Sequence, residues 1–140
     1  SYIEANMPTM EEDPKQAYLL CYTKNDDTHM YYSYSLDGLT WLPLKGGQSV
    51  FGVKERQPDV QGPFLYRMED EQGKTRFHLI HGLPDAKGLY HWTSQDLLTW
   101  EPVNGTDGKV LDVKVLSPEI GFDPATQHWI YYWTNLSEGQ

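Results

Sequence analysis

The residues able to do chemistry are few and far apart. Five histidines stand at 29, 78, 81, 91 and 128. His78 and His81 are three apart in a strand-like stretch, where alternation sends side chains to opposite faces, so they cannot clasp one metal ion. His29, His91 and His128 have no ligand spacing. The single cysteine, Cys21, excludes an internal disulfide and a zinc–thiolate cluster. Inside the apolar run Tyr18-Leu19-Leu20-Cys21-Tyr22 it reads as a small buried hydrophobe, not a nucleophile. No metal or other cofactor is implied. What remains is carboxylates and aromatic rings. Twenty acidic residues against eleven basic ones leave a net charge of −9, with no cluster of cations to replace phosphate counterions. That excludes nucleic acid and an anionic membrane as partners. Tyr and Trp are abundant, and both pack sheets or stack on sugar rings.

These side chains must be positioned by a repeated unit. Ser35-Leu36-Asp37-Gly38-Leu39-Thr40-Trp41 returns as Ser94-Gln95-Asp96-Leu97-Leu98-Thr99-Trp100, 59 residues on. The register extends further: Tyr31 answers to Tyr90, Pro43 to Pro102, and the run at 18–22 to Phe77-His78-Leu79-Ile80-His81. A period of this size, made of short strands and turns, suits a propeller blade or a related sheet unit that buries its faces only against neighbours. Trp41 and Trp100 share one repeat position, which assigns both to packing. Trp92 aligns with Ser33 and is the tryptophan freest for ligand contact.

Along the chain, residues 1–16 read as a polar entry loop. Strands are predicted over Ala17–Thr23 and Met30–Ser35, then a short edge strand at Trp41–Leu44, where Pro43 cannot serve a central ladder. The second unit opens near Pro63, continues as Arg76–His81, loops through Leu83–Gly88, and resumes as Leu89–Ser94. The third opens at Leu116 and enters Trp129–Thr134. No sustained helical period appears. The fold class is all-β, one domain of antiparallel blade-like meanders over about 8–51, 58–111 and 115–140, or two and a half units. Short aromatic strands at this spacing also suit a sandwich. No apolar stretch is long enough to span a membrane. A leader removed ahead of Ser1 would make the protein secreted or periplasmic; otherwise it is cytoplasmic.

The repeated S-x-D-x-L-T-W after a strand, Leu44-Lys45-Gly46-Gly47-Gln48-Ser49-Val50, Pro63-Phe64-Leu65-Tyr66-Arg67, Ser117-Pro118-Glu119-Ile120 with Phe122-Asp123, and Tyr131-Tyr132-Trp133-Thr134 together resemble the N-terminal half of a glycoside hydrolase family 43-like five-bladed β-propeller. The resemblance implies a glycan ligand containing arabinose, xylose or galactofuranose. An active member would hydrolyse it by inversion, with a carboxylate base and a carboxylic acid set far enough apart to admit a water. The family's base is the Asp of an R-D-P segment opening the second blade. Here Gln61-Gly62-Pro63 occupies that place, and glycine accepts no proton.

Two readings of the remaining carboxylates follow. Arg56-Gln57-Pro58-Asp59 lies just upstream, so a shifted loop would bring Asp59 into the pocket as base, with Arg56 beside it; otherwise Asp59 is a solvated loop carboxylate. Glu119 matches a family segment whose Glu supports the site or contacts the sugar. Buried beside the aromatic run it would serve as an acid, and paired with an Arg or a backbone amide it would be structural. The ligand-binding candidates are Glu119, Arg56 and Trp92, and a central pocket would be lined near Thr9, Gly62 and Glu119. The family's acid and its tuning carboxylate belong to later blades. Activity therefore stays open, between a hydrolase completed by further blades and a non-catalytic carbohydrate-binding or protein-interaction module. Open sheet ends predict a homo-oligomer or a longer chain that covers them.

Overall fold

The computed structural model describes residues 17–24, 27–52 and 57–134. The ten strands of the described residues pair antiparallel in three sheets. The first sheet holds β1 (Tyr18–Lys24), β2 (Asp27–Ser35) and β3 (Leu42–Pro43). The second holds β4 (Gln61–Glu69), β5 (Thr75–Leu83), β6 (Ala86–Ser94) and β7 (Glu101–Pro102), with β8 (Lys109–Leu111) also paired to β6. The third is the ribbon of β9 (Leu116–Asp123) and β10 (His128–Thr134). The helix-like backbone of the described residues is one 3-10 turn at Leu44–Gly47, in keeping with the missing 3.6-residue period. None of it is long and apolar enough to cross a membrane.

The sequence repeat is a repeat of register. Leu20 pairs with Ser33 as Leu79 pairs with Trp92, Tyr22 with Tyr31 as His81 with Tyr90, and Ser33 with Pro43 as Trp92 with Pro102. The heptapeptide makes the same turn twice. Ser35 Oγ donates to Asp37 Oδ1 at 2.9 Å and accepts the Gly38 amide at 2.8 Å. Asp37 Oδ1 then takes the amides of Leu39 and Thr40, each at 2.8 Å. Ser94 and Asp96 reproduce this with the amides of Leu97, Leu98 and Thr99 at 2.9, 2.8 and 2.7 Å. Side-chain oxygens thus satisfy the amides that a turn would leave orphaned. The amides of Thr40 and Leu39, with the Ser35 hydroxyl, hold the Asp37 carboxyl down to about 2.

The second sheet is the middle layer. One face of β5 and β6 turns Phe77, Leu79, Tyr90 and Trp92 toward the first sheet, where they pack with Met30, Tyr32, Tyr34, Phe51 and Trp100. The other face turns Ile80 and Leu89 toward the third sheet and packs them with Val115, Ile120 and Phe64. Two apolar layers follow from strand alternation alone. His81, fully buried in the first layer, stacks on Tyr90 with ring centroids 5.0 Å apart. Its Nδ1–H donates to the Gly82 carbonyl at 2.7 Å and its Nε2 accepts the Trp92 indole N–H at 3.0 Å. A carbonyl only accepts and an indole only donates, so both ring nitrogens are satisfied in a single neutral tautomer.

Several local expectations change. The loop expected over Leu83–Gly88 is a two-residue turn, because Leu83 and Ala86 already pair. Pro84 presets the first φ and Asp85 takes the left-handed second one, at 54°. The strand β8 had no signal in the repeat. Trp41, expected to pack like Trp100, is 41% exposed where Trp100 is 6% exposed. Cys21 is only partly buried, its thiol lying 3.7 Å from the Pro63 carbonyl; burial nonetheless pushes the thiol up to about 11, far from a nucleophile's range.

Candidate functional site

The strand β10 lays its alternate residues Trp129 and Tyr131 against the middle sheet. Trp129 comes down over His78, ring centroids 4.5 Å apart, with Phe122 at 4.9 Å and Tyr66 edge-on at 6.1 Å. Beside this cluster a cleft of about 550 Å³ opens between the second and third sheets. Its apolar wall is Met68, Phe122 and Trp129; its polar rim is Glu69, Asp70, Glu71, Arg76 and Gln127, with His78 and Thr93 at its base. Trp129 keeps 37% of its surface exposed, so part of the residue is accessible to a ligand. Arg76 is engaged with Asp70 at 3.8 Å, and Asp70 itself is held below the usual carboxylate range, chiefly by the Lys74 amide. A smaller cleft of about 310 Å³ shares Arg76 and continues over Ser94, Asp96 and Glu101.

At the base of the larger cleft lies a chain of polar groups. His78 Nδ1 and His91 Nε2 are 2.9 Å apart, and His91 Nδ1 is 2.9 Å from the Tyr131 hydroxyl. The pairing is diagonal: His78 faces Thr93 across the ladder and His91 faces Ile80, so both rings project toward β10. Burial lowers His78 to about 4, assisted by the Arg76 charge, and lowers His91 to about 3, assisted by His78. Both rings are neutral at pH 7, and each nitrogen between them has one defined role, donor or acceptor. Burial raises the Tyr131 hydroxyl above its ordinary value. The chain can hold a hydrogen bond in a fixed direction; it offers no charged base or acid.

The residues singled out in the sequence are not brought together here. Asp59 is exposed on the segment leading into Val60, and Glu119 is exposed on β9, across from Tyr132 on the outer face of the ribbon. Neither lines the cleft. Arg56 and Thr9 lie outside the described residues. Trp92 is buried in the layer facing the first sheet, its indole N–H taken by His81, on the face of β6 opposite His91. Gly62 is left-handed at φ 59°, and a Cβ there would lie 3.0 Å from Ser117 Cα and N. Among the described residues, no group of three or more His, Cys, Asp and Glu could hold a metal ion. Sequence reasoning passed over Trp129, Phe122, His91 and Tyr131 as site residues. Their available signal was the alternation that puts 129 and 131 on one face of a strand.

Compared with protein-family models, curated proteins and solved structures, the chain finds no match.

Proposed function

We propose that this is a non-catalytic glycan-binding protein of the family 43-like propeller lineage, its ligand lying along Trp129 in the cleft between the second and third sheets. The observation that carries the reading is the half-exposed indole flanked by carboxylates, a guanidinium and an amide. A sugar ring offers C–H groups to an aromatic face and hydroxyls to such a rim, and few other neutral ligands match both. Support for silence comes from the carboxylates. Gly62 stands where the resembling enzymes carry their base, and Asp59 and Glu119 point to solvent outside the cleft. The three stacked sheets, with the register repeated between the first two, support blade-like units.

Calorimetric titration with arabino-, xylo- and galactofuranose oligosaccharides tests the reading. Binding in the micromolar to millimolar range is expected, lost at least tenfold in Trp129→Ala, with no turnover of the matching aryl glycosides. Binding unaffected by Trp129→Ala would move the ligand elsewhere; turnover abolished by Asp59→Asn would restore the hydrolase.

A second reading rests on the outward faces. Ile130 and Tyr132 on the outer side of the third sheet, and Tyr18 and Leu20 on that of the first, are all exposed. Copies of the chain associate through these faces, giving a mass above the monomer's in light scattering, which Ile130→Thr with Tyr132→Thr shifts back toward it.

A further inference from the structure

His78 is buried except for a small edge at the cleft base. Its Nδ1 is committed to His91, and among the described residues nothing hydrogen-bonds its Nε2. The one edge of this buried ring that reaches the cleft therefore carries a nitrogen free to bond whatever enters it, water or a ligand atom. Which atom depends on where the proton sits. The chain from Tyr131 through His91 to His78 can run in only two directions, because each neutral ring has one donor and one acceptor. If the Tyr131 hydroxyl donates, His91 Nε2–H donates to His78 Nδ1, and His78 presents Nε2–H to the cleft. If the hydroxyl accepts, every role reverses and His78 presents a bare lone pair. A phenol O–H is a stronger acid than the N–H of a neutral imidazole, and among the described residues the Tyr131 hydroxyl has no other acceptor for its proton. The first direction wins.

We propose that His78 Nε2–H is a fixed hydrogen-bond donor for an oxygen of the glycan, and that Tyr131, which does not line the cleft, is the positioning residue that sets its direction through His91. The inference rests on the glycan reading of the cleft and refines it. Glu69, Asp70 and Glu71 supply acceptors at the rim, His78 supplies a donor at the base, and the ligand must answer both, as a polyol does. An apolar or acceptor-free ligand leaves the His78 donor unpaired.

Long-range proton–nitrogen correlation spectra of the histidine rings test this in the free protein at neutral pH. The expected result is a protonated Nε2 and an unprotonated Nδ1 in both His78 and His91. In Tyr131→Phe the direction is no longer set, so the His78 nitrogens move toward the averaged shifts of exchanging tautomers while the His81 signals stay in place. Titration with xylohexaose and a linear arabino-oligosaccharide should then shift His78 Nε2 selectively, with affinity about three- to tenfold weaker in Tyr131→Phe. An unprotonated His78 Nε2 in the wild-type protein overturns the proposal, as do tautomers or affinities indifferent to Tyr131→Phe. The expected tautomers with no oligosaccharide binding would sustain the directed donor and bring down the glycan reading instead.

Discussion

Position 62 is the sharpest case at the residue scale. The proposed family 43-like reading sets Gly62 against a carboxylate, and the backbone at this position is hostile to any side chain. Gly62 sits at φ 59° with Ser117 backbone atoms 3.0 Å from where a Cβ would be. A left-handed conformation costs a non-glycine residue about 1–2 kcal/mol, and forcing side-chain atoms into a packed seam costs about 1–3 kcal/mol more. Gly62→Asp is therefore expected to lose about 2–5 kcal/mol in urea unfolding and to gain no hydrolysis of aryl arabinofuranosides. A stable, active variant would show that the seam between β4 and β9 opens readily. The glycine is visible in the sequence; its crowding by Ser117, 55 positions away in the chain, is visible only in the fold.

Elements show the same residues serving different ends. The S-x-D turn is local chemistry, and it recurs with nearly the same hydrogen bonds. Ser35 and Ser94 are both buried, so Ser35→Ala and Ser94→Ala should each cost about 1–2 kcal/mol in equilibrium unfolding, the penalty for stranding turn amides and the Asp oxygen. A loss confined to one of the two would mean that the turns are not equivalent. Burial, by contrast, does not repeat. Leu20 is 47% exposed and its counterpart Leu79 is fully buried; Trp41 and Trp100 differ in the same sense. The second sheet has a neighbour on each face. The first has one only, among the described residues. Trp92 follows the same logic, filling the seam between sheets at a point where Gly108 leaves room: a Cβ there would lie 2.8 Å from the indole. The alignment of Trp92 with Ser33 suggested freedom, and the packing consumed it.

For the whole molecule, the buried histidines make stability depend on pH. His81 falls from 6.5 to about 4 through burial, and His78 and His91 move the same way. Between those values the unfolded chain binds protons that the folded chain does not, so stability rises with pH there. Nothing is lost above about pH 6.5. As pH falls to 4 the protein is destabilised, with His81 alone approaching about 3 kcal/mol. Urea midpoints at pH 7 and pH 4.5 check this, and His81→Gln should flatten the difference; an unchanged slope would remove His81 as its source. Acid would also charge His78, reversing the donor chain at the base of the cleft.

The strands other than β8, the edge positions of Pro43 and Pro102, the duplicated turn and the all-β class were legible in the chain, because each follows from interactions within a few residues: alternation, a missing amide donor, a side-chain oxygen capping its own turn. The cleft was not. It exists because two strands far apart in sequence, β5 and β10, place His78 beneath Trp129, and because β6 carries His91 to within reach of Tyr131, 40 positions later. Which face of a strand meets a neighbour is a property of sheet stacking, settled by long-range burial and not by any local preference. For that reason the turns could be read from residue types alone, whereas the candidate site emerged only when the second and third sheets were in contact.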